Sequence, residues 1–158
     1  MATAHLLFGS PGVGKTTFAK QLEARGAVRF TPDEWMCGLF GEDPPAAIFP
    51  EKASALLSLI QPIWTRCLAC GADVVLDYGF WKRSERDEAR KIVRGVGASS
   101  ILYAVTCSET EARDRIARRN NAPDRSLYIA PATFEILKAR LEPLGSDEDH
   151  VVISTAAA

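Results

Sequence analysis

The sequence has no apolar run near the roughly 20 residues that a membrane-crossing helix requires, so no membrane segment is expected. It also lacks an excess of either charge. With 19 Lys and Arg against 20 Asp and Glu, the formal net charge is -1, and the general attraction that a nucleic-acid binder relies on is missing. Histidine is limited to His5 and His150, both beside strand-like runs and both read as structural. Cysteine is limited to Cys37, Cys67, Cys70 and Cys107. Cys67 and Cys70 form a CxxC with no second pair and no histidine cluster, so small core thiols fit better than a metal or redox site. Repeats and low-complexity segments are absent apart from Ala156-Ala157-Ala158. The 158 residues suffice for one core and are too few for a catalytic domain plus a separate effector module. The chain opens on an apolar strand with no basic, apolar leader, and the expectation is one cytoplasmic domain over 1–158, monomeric or homodimeric.

What is present is organised around Gly9-Ser10-Pro11-Gly12-Val13-Gly14-Lys15-Thr16, a full match to the phosphate-binding pattern GxxxxGK[ST], with Thr17 next in line. Each residue type has a task. Glycines let the backbone turn tightly and aim its N–H groups at phosphate oxygens, and the helix that follows adds the positive end of its dipole. Lys15 is placed to reach the β- and γ-phosphates of ATP, and Thr16 to ligate Mg²⁺. A buried-type strand, Ala4 to Phe8, enters the loop, and the amphipathic Phe18, Ala19 and Leu22 leave it.

Downstream, the pattern predicts a helix from about Gly14 to Arg25, ended by Gly26, then a strand over 27–31. Pro32-Asp33 stops that strand and puts Asp33 just past its carboxyl end, where open α/β sheets place ligand-binding loops. Asp33 is also a good N-cap for the helix it precedes, and the two roles are compatible. Helical spacing of Ala53, Leu56, Leu57, Ile60, Ile63, Trp64 and Cys67 predicts a long core-facing helix that Pro62 kinks or divides. A third strand, 72–77, ends in Asp77, either a metal-supporting carboxylate or a simple turn residue. An aromatic loop, Tyr78-Gly79-Phe80-Trp81, leads to a charged helix. In its first turns Arg83 and Arg86 oppose the dipole, which suggests either an anionic neighbour or a solvated face. After a fourth strand, 99–106, Ser108 and Glu111 form a capping box for a helix carrying Arg113, Arg115, Arg118 and Arg119. With the breaker-rich 120–124, this reads as an arginine-bearing lid over about 113–130; a basic solvent face is the alternative. A helix over 131–141 and a last strand over 150–153 complete an alternating α/β chain. It predicts a parallel sheet of five strands with helices on both faces.

The segments GSPGVGKTTFAKQL, TPDEWM, VVLDYGFW and RDRIARRNNAP, in this order, resemble the small P-loop kinases grouped with polynucleotide kinase, chloramphenicol phosphotransferase and zeta toxins. The resemblance runs nearly the whole length, and is nearest to bacterial kinases described only as ATP-binding proteins. It implies a P-loop NTPase of the nucleoside-monophosphate-kinase type, a three-layer α/β sandwich with strand order 2-3-1-4-5. It also implies that Asp33 takes the proton of the acceptor hydroxyl. Lys15, Arg115 and Arg119 would stabilise the moving phosphoryl group, Arg119 also touching the nucleotide, and Asp77 would hold Mg²⁺ with Thr16. Polynucleotide kinases carry a phosphate-reading arginine where this chain has Met36. The acceptor is therefore expected to be a small molecule rather than nucleic acid, in a pocket walled by Trp35, Met36, Tyr78, Phe80 and Trp81, with Arg83 and Arg86 near it. Two other readings stay open: a polynucleotide or nucleotide 5′-hydroxyl kinase, and a nucleotide-driven switch without kinase activity.

Overall fold

A computed structural model describes residues 1–122 and 126–156. The elements follow in the order β1 (Thr3–Phe8), α1 (Lys15–Glu23), β2 (Val28–Phe30), α2 (Pro32–Phe40), α3 (Phe49–Ala69), β3 (Val74–Gly79), α4 (Arg83–Gly95), β4 (Ser99–Thr106), α5 (Glu109–Asn120), α6 (Pro131–Ala139) and β5 (Val151–Ser154). The strands form one parallel sheet in the order β2-β3-β1-β4-β5. That is the expected fold class and strand order.

Side-chain alternation along β1 builds the two faces. Ala4, Leu6 and Phe8 point into the larger core with Ile60 and Trp64 of α3, Val93 of α4 and Leu102 of β4. Leu7 points the other way, onto Ala19 and Leu22 of α1. A smaller cluster, Ala112, Ile116 and Phe134, joins α5 to α6. The central position of β1 matters for the site. Parallel strands flank it on both sides, so the loop after it opens between the carboxyl ends of β3 and β4.

The β1–β3 register runs evenly from Ala4 opposite Val74 to Leu6 opposite Leu76, then slips so that Phe8 faces Gly79. The extra residue on β3 bends its carboxyl end, a common device beside binding sites. Phe80, at φ 46°, is the one non-glycine residue with positive φ among those described. Such a conformation costs roughly 1–2 kcal/mol and persists only where the surroundings enforce it.

Three local expectations are corrected. Pro62 does not divide α3, which is one helix from Phe49 to Ala69. Pro62 and Ser58 both lie on its exposed side, so water can satisfy the Ser58 carbonyl that Pro62 cannot, and Thr65 Oγ1 donates to the carbonyls of Gln61 and Pro62 at 3.0 and 3.1 Å. Asp33 is not the N-cap of α2: Thr31 takes that place and Pro32 the first turn, where its missing N–H costs nothing. Cys70 is exposed rather than a core thiol, and all four cysteines are free.

Candidate active site

The phosphate loop leaves β1 and enters α1 through a left-handed Gly14, and no acidic side chain occupies the first turn of α1 to compete with an incoming anion. Gly12 has φ 80°, and a β-carbon there would stand 2.6 Å from the Ala112 carbonyl of α5. Only glycine allows α5 to pack this close against the loop. Lys15 Nζ donates to the Gly9 and Ser10 carbonyls at 2.9 and 2.8 Å, which spends two of its three donors and leaves one for the cleft.

Behind the loop, Thr16 Oγ1 donates to Asp77 Oδ2 at 2.7 Å. Thr31 Oγ1 donates to the same oxygen at 3.2 Å and accepts from Arg29 Nη1 at 2.7 Å. Thr31 had no role in the sequence reading; its place at the carboxyl end of β2, next to β3, was the available signal. A hydroxyl and a buried carboxylate at the foot of a phosphate cradle are hard oxygen donors that suit Mg²⁺. Among the described residues no group of three His, Cys, Asp or Glu side chains is arranged to hold a metal ion.

One cleft of about 780 Å³ opens in front of these groups. Lys15, Thr16, Asp33, Asp77, Arg115 and Arg119 all border it, together with Met36, Tyr78 and Trp81. Asp33 borders the cleft with its side chain exposed to it, while protein closes around the carboxylate on its other sides. Burial and the charge of Asp77 raise its pKa, against the opposing pull of Lys15 and Arg119. Burial likewise lowers the pKa of Lys15, while Asp77 and Asp33 pull it back up and Arg119 pushes it further down. These four charges therefore sense one another across a single space. Arg119 Nε is buried without a hydrogen-bond partner among the described residues.

The structure places other expected site residues elsewhere. Arg115 is committed: Nη1 donates to the Val13 carbonyl at 3.2 Å and to Thr155 Oγ1 at 2.9 Å, and Nη2 donates to the Thr155 carbonyl. It braces the loop against the end of β5 while still bordering the cleft. Arg83 and Arg86 do face anions, but these belong to the chain itself. Arg86 is fully buried against Glu148, and Arg83 binds Asp87 and Asp147, so neither borders the cleft. Asp87 is a local partner one helical turn on, but Asp147 and Glu148 lie about sixty residues downstream, which no local pattern could indicate. Trp35 packs on Phe30 at 5.9 Å and Phe80 stacks on Tyr78 at 5.4 Å, and both serve the core instead of the cleft wall. Phe49, Ala53 and Leu57 of α3 supply the apolar wall, together with Met36. The helical spacing of Ala53 and Leu57 was legible in the sequence, but which side of α3 met the cleft was not. Of the expected lid over 113–130, residues 123–125 lie outside the described residues.

Solved structures share this architecture. Kti12 of Chaetomium thermophilum, in complex with ADP-AlF3, aligns with a TM-score of 0.70 at 18% identity, over 96% of this chain and 89% of that one. A protein of Chloroflexus aurantiacus described as a candidate kinase aligns at 0.75 and 17%, over 98% and 89%. A gluconokinase of Sinorhizobium meliloti aligns at 0.64 and 20%, over 99% and 84%. At these identities the likeness is one of fold, that of the small P-loop kinases. No curated protein matches the sequence significantly. The sequence profile of the AAA domain family matches residues 5–144, which span the phosphate loop, Asp33, Asp77 and the arginine helix, and the chain belongs to that family.

Proposed function

We propose that the protein is a phosphotransferase that moves the γ-phosphoryl group of ATP to a hydroxyl of a small molecule. The observation that carries this is Asp33, in the first turn of α2 just past β2, bordering the same cleft as Lys15 and the Thr16–Asp77 pair. In the step itself, the acceptor oxygen forms a bond to the γ-phosphorus as the bond to the β-phosphate oxygen breaks, ADP leaves, and the acceptor proton passes to Asp33. In a loose transition state that proton can leave late, so holding the oxygen in line is the larger part of the task of Asp33. Lys15 and Arg119 offset the charge on the transferring group, where preorganised cations count most. Thr16 and Asp77 would hold Mg²⁺, which supplies charge neutralisation across the β- and γ-oxygens when bound.

The cleft wall also favours a kind of acceptor. Among the described residues its cations, Lys15, Lys20, Arg115 and Arg119, all stand on α1 or α5, at the nucleotide end. The acceptor end carries Asp33, Glu34 and Glu85 beside Met36, Phe49 and Leu57, with Glu34 partly neutralised by Arg29 at 3.0 Å. This supports an uncharged or cationic alcohol with an apolar part, rather than a phosphorylated or carboxylated one. The 5′-hydroxyl kinase reading relied on Arg83 and Arg86, and both are engaged internally.

The test is acceptor-stimulated ADP release across three sets of alcohols: neutral, amine-bearing and phosphate-bearing. Stimulation by members of the first two sets is the expected result. Stimulation by the phosphate-bearing set alone overturns the acceptor class, and ATP turnover that no alcohol alters overturns the phosphotransferase.

A further inference from the structure

The aromatic loop contains one residue whose polar atom the transfer step leaves unused. Trp81 Nε1 donates to the Gly9 carbonyl at 3.0 Å, and that oxygen is the one that accepts from Lys15 Nζ at 2.9 Å. A backbone carbonyl has two lone pairs, so one oxygen can serve both donors. We propose that Trp81 is a positioning residue for the phosphate loop, its indole N–H fixing the Gly9 carbonyl that in turn aims the Lys15 ammonium.

The surroundings are built for this contact. Gly79, at φ 81°, lies so close under the indole that a β-carbon there would stand 2.6 Å from Trp81 Nε1. The Gly79 carbonyl in turn accepts from the Gly9 N–H at 3.3 Å, so β3 grips both sides of the loop's first residue. The left-handed Phe80 turns the chain so that residue 81 meets the loop. That turn is clamped from behind. Arg86 Nη1 donates to the Phe80 carbonyl at 3.0 Å, and the Glu142 N–H donates to the Trp81 carbonyl at 2.7 Å. A contiguous set of bonds thus runs from Glu148 through Arg86 and the residue 80–81 backbone to Gly9 and Lys15. With two ammonium protons held by Gly9 and Ser10, the third is directed by where those carbonyls point. An indole that rigidifies Gly9 therefore acts on phosphate binding without touching phosphate.

The inference rests on the nucleotide-binding part of the proposed function and not on the acceptor, so its test uses Mg-ADP as the probe. In the ¹⁵N-labelled full chain, the three indole N–H signals are assigned with Trp35→Phe, Trp64→Phe and Trp81→Phe. The Trp81 signal is expected to exchange slowly with solvent and to shift on addition of Mg-ADP. Trp81→Phe keeps the ring and loses the donor, and should weaken Mg-ADP binding by about tenfold. In a Lys15→Met background the same change should have less than about twofold effect, because the two residues act through one oxygen. Equal losses in both backgrounds would mean a general structural role and overturn the proposal. So would an indole signal that ignores Mg-ADP, and this measurement does not require the Trp81 variant to fold. A wild-type chain that binds no Mg-ADP by calorimetry would remove the nucleotide site and the relay together.

Discussion

Glu148 holds the guanidinium of Arg86 at two points, Nε on one carboxylate oxygen and Nη2 on the other, each at 2.8 Å. Both side chains are inaccessible, and the carboxylate is further satisfied by the Gly145 N–H and by Arg90, each at 3.0 Å. A buried pair with its remaining bonds filled is costly to break from one side.

Glu148→Gln should therefore lower stability by about 3–5 kcal/mol, the usual cost of stranding a buried charge, read as a shift in the urea midpoint at pH 7. Arg86, then the Gly145 N–H and Arg90, hold the Glu148 carboxyl far below the ordinary range against the opposing effect of burial. Its folded pKa is depressed, so its contribution is complete above the unfolded carboxylate value of about 4.3 and is lost as pH falls toward the folded value. The wild-type chain should lose stability steadily below about pH 4.3, and the Gln variant should show a flatter profile there. Parallel profiles would show that another carboxylate carries the acid sensitivity.

Asp33→Asn should keep Mg-ADP affinity within about twofold and abolish acceptor phosphorylation, since the change spares the cradle and removes the proton acceptor. Burial and Asp77 raise the Asp33 pKa, so its proton persists to a higher pH than on a free carboxyl group. Turnover should rise with pH through an acid limb centred above about 3.9. Near-normal turnover in the Asn variant would reassign the proton acceptor to Asp77 or water.

Gly12→Ala places a methyl group 2.6 Å from the Ala112 carbonyl at a φ of 80°. It should cost about 1 kcal/mol or more of stability from the backbone alone and push α5 off the loop. Mg-ADP affinity should fall at least tenfold, by calorimetry, if the packing of α5 sets the shape of the cradle.

Arg115 and Arg119 should separate in kinetics. Arg119→Ala removes the cation with an unpartnered Nε beside Asp33 and Lys15, and should cut turnover on the order of a thousandfold with a small change in nucleotide affinity. Arg115→Ala removes the brace between Val13 and Thr155 and should raise the Kd for Mg-ADP more than it lowers turnover. Equal losses of turnover would put both on the transferring group.

How far the sequence reached depended on the range of each interaction. The phosphate loop and the alternation of strands and helices were legible because they rest on local patterns, the glycine spacing and helices ended by glycine, whereas the strand order was implied only by the resemblance to a kinase family. Arg83 and Arg86 read either as facing an anion or as a solvated face, and the distant anions that decide it sit at 147 and 148, in a stretch with no regular structure. Phe80 could not be separated from Tyr78, because the slip in β3 register follows from pairing with β1, nor Trp35 from Met36, because the packing of α2 on α3 decides which side of that helix meets the cleft. The brace from Arg115 to Thr155 was not legible for a related reason: Thr155 follows the last strand, 40 residues away.

The chain between β2 and β3 contains α2 and α3, and these supply Asp33, Met36, Phe49, Ala53 and Leu57, while the phosphate cradle comes from β1, α1 and α5. Much of the apolar wall of the cleft and the phosphate loop thus come from separate stretches of the chain. On the proposed function, transplanting a foreign segment over 32–69, with an aspartate kept at 33, would change which acceptor is taken and leave the phosphate loop as it stands.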